Sequence, residues 1–100
     1  MKIVTICGSF KFKEEMLRLS AELEIKNNYV ILQPVYSGND AIYTAEEMEI
    51  MGKLHMKRIE ISDAIYVVNV GGYIGSSTKK EIEYAISLNK EVYSLEPLSY

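Results

Sequence analysis

Short apolar runs alternate with longer amphipathic segments along this chain, and turn-forming residues follow each run closely. The runs are too short for helices and rich in isoleucine, valine and tyrosine, so each one predicts a buried strand. The predicted strands cover residues 3–7, 29–32, 64–68 and 91–95. Buried strands separated by helices favour a parallel sheet.

The amphipathic segments predict three helices. The first spans about residues 11–26, and the second begins at a T-x-x-E capping box formed by Thr44 and Glu47. The third carries Glu81 close to its start. Apolar side chains expected to face the core from the first two helices are Met16, Leu17, Leu19, Leu23, Met48, Met51, Leu54 and Ile59.

The resulting order βαβαβαβ predicts an α/β fold, a three-layer α/β/α sandwich with a Rossmann-like parallel sheet of about four strands. Residues 1–100 are expected to form a single domain. We favour the strand order 2-1-3-4. In that order the winding reverses between strands one and three, and a binding crevice opens at their carboxyl ends.

Composition, charge and motifs argue against several classes of function. Hydrophobic residues make up 48% of the chain, charged residues 25%, and the net charge is -3, which argues against a nucleic-acid binder. The sequence has neither an apolar run long enough to span a membrane nor a signal-peptide pattern, so we expect a cytoplasmic protein that does not bind membranes. The single Cys7 has no obvious histidine partner and is expected to be a packed core residue rather than a catalytic thiol. We expect no metal and no cofactor.

Two loops rich in small residues should meet at the predicted crevice. Gly8 and Ser9 follow the first strand, and a longer loop follows the third. Glycines allow close approach of the backbone to a ligand, and a helix N-terminus attracts anions. The small residues of the longer loop are Gly71, Gly72, Gly75, Ser76, Ser77 and Thr78. A ligand-free alternative is that Thr78 and Glu81 simply form a capping box.

Several motifs resemble the nucleoside 2-deoxyribosyltransferases and the related 2'-deoxynucleoside 5'-monophosphate N-glycosidases. The resemblance spans nearly the whole chain. Its motifs are the turn Cys-Gly-Ser at residues 7–9 with Lys11, the strand SDAIYVV at residues 62–68, and the helix EIEYA at residues 81–85.

The resemblance implies that Glu81 is the nucleophile attacking the anomeric carbon of the sugar. It also implies that Ser9, Lys11 and Ser77 hold a 5'-phosphate. His55 stands where the family carries an acidic residue, so it is either a proton donor to the leaving base or a half-buried structural histidine.

Other candidates depend on where the side chains lie. Tyr36 and Tyr43, after the second strand, and Tyr73 are expected to stack on a base. Asp40 or Glu47 would supply a second carboxylate. We expect Glu81 to lie in the first turn of its helix, where the dipole favours its ionised form. We rank three further side chains lower as ligand contacts, because charged side chains on a helix are more often solvated at the surface. They are Glu83, Lys79 and Lys80.

Two functions therefore stay open. The first, which we favour, is an enzyme that cleaves or transfers the N-glycosidic bond of a nucleoside or its 5'-monophosphate through Glu81. The second is a non-catalytic nucleotide-binding module with the same pocket. The eight tyrosines suit subunit contacts, so a homodimer or higher homo-oligomer is expected.

Overall fold

Four strands and three helices alternate along residues 1–36 and 42–98, which are the residues that this computed structural model describes. The strands are β1 Ile3–Cys7, β2 Val30–Leu32, β3 Ala64–Val67 and β4 Glu91–Ser94. The helices are α1 Lys13–Asn27, α2 Ala45–Ile61 and α3 Ser76–Ser87. Each predicted element is present, and the ends that differ from the prediction do so by one to three residues.

All strand pairs are parallel, and the sheet order is β2-β1-β3-β4, which confirms the predicted topology. Side chains alternate between the two faces, as a strand requires. Ile6 packs with Met16 and Leu19 of α1 on one face. Cys7 packs on the other face with Ile59 of α2 and with the α3 side chains Ile82 and Ala85. The helices thus form the two outer layers of a three-layer sandwich.

The first helix begins later than predicted. A short 3-10 turn, Phe10–Phe12, precedes α1, and Ser9 caps that turn by accepting a hydrogen bond from the Lys11 backbone N–H. Leu17, predicted to face the core, is 44% exposed. The helix ends at Asn27, and the φ of 61° at its C-cap Asn28 is a left-handed conformation that asparagine tolerates.

The second helix begins at the predicted capping box. Glu47 Oε1 accepts from the Thr44 backbone N–H at 2.8 Å, and Thr44 Oγ1 accepts from the Glu47 N–H at 3.0 Å. The Glu47 carboxylate is engaged in this cap and does not line the candidate cleft described below, so the structure does not bring it to the site as the second carboxylate. None of the helices within the described ranges combines the length and the apolar character needed to cross a lipid bilayer.

The amino-terminal half of α2 does not pack on the sheet as predicted. Met48 is 57% exposed and Leu54 is 55% exposed, whereas Ile59 is fully buried. The reason is a cleft that separates this half of the helix from the carboxyl end of β1. Met48, Met51 and Leu54 line that cleft instead of entering the core.

Asp63 lies at the amino end of β3, away from the cleft. Its carboxylate accepts a hydrogen bond from the Ile3 backbone N–H at 2.8 Å.

Replacing Asp63 by Ala should remove this hydrogen bond and therefore lower the free energy of unfolding by about 1 kcal/mol, measured by urea titration. Asp63→Asn, which keeps an acceptor oxygen, is the control. Equal losses in the two variants would show that this hydrogen bond does not stabilise the sheet.

Candidate functional site

A cleft of about 760 Å³ opens at the carboxyl ends of β1 and β3, within the size range of small-molecule sites. Its walls are the two small-residue loops, the start of α3 and the amino-terminal half of α2. Residues proposed from the sequence that line it are Gly8, Ser9, His55, Tyr73, Gly75, Ser76, Ser77 and Glu81. The loops therefore converge where the strand order predicted.

Three predicted binding residues do not line the cleft. The Tyr36 ring packs against the core cluster of Ile6 and Met16, so it does not face a ligand. Lys11 places its ammonium 3.3 Å from the centre of the Tyr73 ring, in a cation–π contact. Gly72 is exposed and shapes the loop through its φ of 82°. Asp40 lies outside the described residues.

Gly8 is required by close packing at the floor of the cleft. A Cβ at this position would lie 3.1 Å from the Val68 carbonyl oxygen and 3.4 Å from the Met16 sulfur. The absence of a side chain lets β1 turn away directly beneath the cleft.

The loop after β3 is joined to the segment after β4 by Asn69 and Glu96, through two hydrogen bonds of 2.9 Å.

The third helix begins earlier than the capping-box alternative requires. Gly75 is its N-cap, so Thr78 is a third helical residue and does not cap Glu81. Glu81 consequently lies in the second turn, and our expectation of a first-turn position was wrong. The N–H groups of the first turn stay available to the cleft beside Ser76 and Ser77, because no side chain caps them.

The environment of Glu81 opposes ionisation rather than favouring it. Burial raises the pKa of its carboxyl group to about 7, and a hydrogen bond from the Cys7 thiol acts in the opposite direction with a smaller effect. Desolvation therefore outweighs both the thiol and the helix dipole, which weakens beyond the first turn. At neutral pH this carboxyl group is poised between its protonated and ionised forms.

Cys7 does have a histidine partner, contrary to the sequence interpretation. Its Sγ atom lies 3.7 Å from Nε2 of His55, and both residues are buried beneath the cleft. The Sγ atom, a His55 ring nitrogen and a Glu81 carboxylate oxygen all lie within 4.8 Å of one another. The expected burial of Cys7 in the core is confirmed, but the core here contains a polar cluster.

His55 is held in a neutral form. Arg58 Nη1 lies 3.2 Å from Nδ1 of His55, and a guanidinium only donates, so Nδ1 accepts and the ring proton resides on Nε2. Burial and the charge of Arg58 lower the pKa of His55 to about 4, whereas a hydrogen bond with the Ile6 backbone acts to raise it. This state disfavours the predicted role of proton donor to a leaving base.

The same state disfavours a metal ion at this cluster. A cation bound to Nε2 would require the ring proton to move to Nδ1, where it would face the donor N–H of Arg58. The guanidinium charge would also repel the cation. Neighbouring donor atoms are therefore not sufficient for a metal site here.

Sequence reasoning missed Arg58 and most of the apolar wall. Arg58 lies one helical turn after His55, and this i, i+3 spacing was the signal that could have placed it beside the ring. The remaining wall is largely apolar. Its members not proposed from the sequence as site residues are Phe10, Pro34, Val35, Ile42, Met48, Met51, Gly52 and Leu54. Tyr43 lines the cleft, as proposed for base stacking.

Solved structures of other proteins share this arrangement of strands and helices. A 2-desoxiribosyltransferase from Leishmania mexicana matches with a TM-score of 0.68 and 20% sequence identity over 94% of this chain. The chain has the fold of this transferase. A conserved protein from Enterococcus faecalis V583 matches with a TM-score of 0.64 and 16% identity, also over 94% of the chain.

The transferase fold confirms the resemblance noted in the sequence at the level of architecture. The chain spans 63% of the length of the Leishmania transferase and 62% of the Enterococcus protein. No model of a known protein family matches the sequence, and no curated protein sequence matches it.

Replacing Glu81 by Gln should stabilise the protein at neutral and alkaline pH. Between pH 4.5 and 7 the folded wild type keeps a proton that the unfolded chain releases, so its stability falls as the pH rises through this window. The variant lacks this loss. Its advantage in the free energy of unfolding should grow by on the order of 2 kcal/mol from pH 5 to pH 8, measured by urea titration.

Glu83→Gln on the exposed side of the same helix is the matched control and should show no such trend. A pH-independent difference between Glu81→Gln and the wild type would mean that Glu81 ionises normally.

Proposed function

We propose that this protein cleaves or transfers the N-glycosidic bond of a nucleoside or a (deoxy)nucleoside 5'-monophosphate, with Glu81 as the nucleophile. The observation that carries the proposal is the position of Glu81, which lines the cleft between the two loops at the carboxyl ends of β1 and β3. The transferase fold supports the same assignment. A carboxylate beside the anomeric carbon can capture the oxocarbenium-like species of glycosidic cleavage.

In the proposed first step, a Glu81 oxygen forms a bond to the anomeric carbon as the bond from that carbon to the base nitrogen breaks. The base leaves with the electron pair of that bond and takes a proton from solvent. In the second step, water or another base attacks the anomeric carbon and releases the carboxylate. Cleavage and transfer share the first step and differ in the acceptor.

The raised pKa of Glu81 is compatible with the role of nucleophile and makes the rate of the proposed reaction depend on pH. A partly desolvated carboxylate is a better nucleophile and is stabilised by the positive charge that develops on the sugar. Because the nucleophile must be ionised, kcat/KM should decline as the pH falls below about 7.

The two ends of the cleft suit the two ends of a nucleotide. The first turn of α3, with Ser76 and Ser77, offers N–H groups and hydroxyls to a phosphate, and Ser9 lies on the facing loop. Tyr43 and Tyr73 with the apolar wall of α2 offer stacking surface to a base. We propose Lys11 as a further phosphate contact, which would require its ammonium to leave the Tyr73 ring.

A non-catalytic nucleotide-binding module is the second candidate. The observation that favours it is the raised pKa of Glu81, because a protonated carboxyl group can donate a hydrogen bond to a sugar hydroxyl. Turnover distinguishes the two functions.

Incubation with a panel of nucleosides and their 5'-monophosphates, with and without an added free base, should release base from at least one member. Chromatography would identify the substrate, and base exchange would identify a transferase. Glu81→Gln should reduce the rate by several orders of magnitude while binding persists, because the amide cannot attack. Glu83→Gln should retain full activity. Nucleotide binding without base release by the wild type would favour the binding module.

The phosphate contacts predict a selective loss of affinity. Ser9→Ala and Ser77→Ala should each weaken binding of the monophosphate about tenfold while changing nucleoside binding little, measured by calorimetry with the Glu81→Gln protein. Ser87→Ala, at the far end of α3, is the control. An unchanged ratio of the two affinities in both cleft variants would refute the phosphate assignment.

A further inference from the structure

We propose that Arg58, His55 and Cys7 form a hydrogen-bond chain that positions Glu81 and adjusts its ionisation, so that Cys7 and His55 are positioning residues of the site. This hydrogen-bond chain begins on α2, passes through Cys7 at the end of β1, reaches α3 and lies beneath the cleft. Its kinetic consequence rests on the proposed function, whereas its geometry and protonation do not.

The first link fixes the orientation of the imidazole ring. Arg58 donates to Nδ1 of His55 across 3.2 Å, which leaves Nε2 as the donor of the neutral ring. His55 is only 6% exposed, so the solvent cannot easily replace this partner. Arg58 also lines the cleft, where it connects the buried ring to the ligand space.

The second link passes that orientation to the thiol. Nε2 of His55 lies 3.7 Å from the Cys7 sulfur, a hydrogen-bonding distance for this large atom. With the ring as donor, the Cys7 sulfur shares the Nε2–H with the Ile6 backbone, and the S–H of Cys7 is free to donate elsewhere. Burial raises the pKa of the Cys7 thiol well above its usual range, so the thiol keeps its proton.

The third link reaches the nucleophile. A Glu81 carboxylate oxygen lies within 4.8 Å of the Cys7 sulfur, and in the proposed chain the thiol donates toward it, which lowers the pKa of Glu81 against the larger effect of burial. In the proposed chain every donor therefore faces the same way, from guanidinium to carboxylate. Cys7 is fully buried and does not contact a ligand, which makes it a positioning residue rather than a catalytic one.

The chain offers the carboxylate partial stabilisation without a direct ion pair. Arg58 donates to His55, and the side chains of His55 and Cys7 separate it from Glu81 in the hydrogen-bond chain. A direct Arg–Glu pair would hold the carboxylate ionised and oppose its reaction with the sugar. The other titratable side chains that line the cleft within the described residues are Tyr43 and Tyr73. Burial raises the pKa of Tyr36 to about 12, so this residue stays neutral.

NMR of the wild type and three variants tests the chain. Nitrogen-15 shifts should show His55 as the neutral Nε2–H tautomer at pH 7, and carbon-13 titration should give the pKa of Glu81. Cys7→Ala should raise the pKa of Glu81 by about one unit, since it removes the donor, and Cys7→Ser should restore it. Val67→Ala is the matched control, because Val67 pairs with Cys7 in the sheet and shares its core cluster.

Kinetics add a readout that a purely structural role would not move. In Cys7→Ala the acid limb of kcat/KM should shift upward by the same amount, with the alkaline plateau largely retained and with rescue by Cys7→Ser. An Nδ1–H tautomer, or an equal pKa of Glu81 in Cys7→Ala and Val67→Ala, would overturn the proposal. If the wild type releases no base, the proposed function fails while the NMR titration still decides the chain.

Discussion

The parallel pairing of β1 with β3 is the constraint on which the rest of the structure depends. In this register Cys7 lies opposite Val67, so both strands end side by side and their loops leave the sheet at the same edge. Parallel strands with helices on opposite faces force the chain to diverge there, and the divergence opens the cleft. The N-terminus of α3 and the small residues after β1 therefore face each other as a consequence of topology.

Desolvation, not the helix dipole, controls the candidate nucleophile. Since α3 begins at Ser76, Glu81 is one turn deeper than a capping residue and faces the core cluster around Cys7. Water that would stabilise a carboxylate is displaced by Cys7 and its apolar neighbours. Burial thus increases both the reactivity of the ionised group and the free energy required to form it. The raised pKa is the expected result of placing a carboxyl group in this position.

The sequence predicted the sheet because hydrophobic periodicity is a local signal that survives in isolation. All four strands followed from it, whereas their order and the convergence of Gly8 with the loop before Ser76 followed from the topology rules of parallel α/β sheets. The predictions that were wrong depend on tertiary contacts. Met48 and Leu54 have the spacing of a core face, but that spacing does not distinguish a core from a cleft wall. Likewise, the Thr78–Glu81 spacing matches a capping box, although Gly75 begins the helix one turn earlier.

The Cys7–His55 contact joins residues 48 positions apart, which no short motif could reveal. Once β1 and α2 are packed together, however, a thiol at the end of a buried strand must meet the facing helix. A buried imidazole and a buried thiol would each be costly without a polar partner, and Arg58 and Glu81 provide the outer partners at the two ends. The polar residues beneath the cleft therefore stabilise one another as a group. In the proposed hydrogen-bond chain, a change at Cys7 would alter the ionisation of Glu81 even though Cys7 is fully buried and lies outside the lining of the cleft.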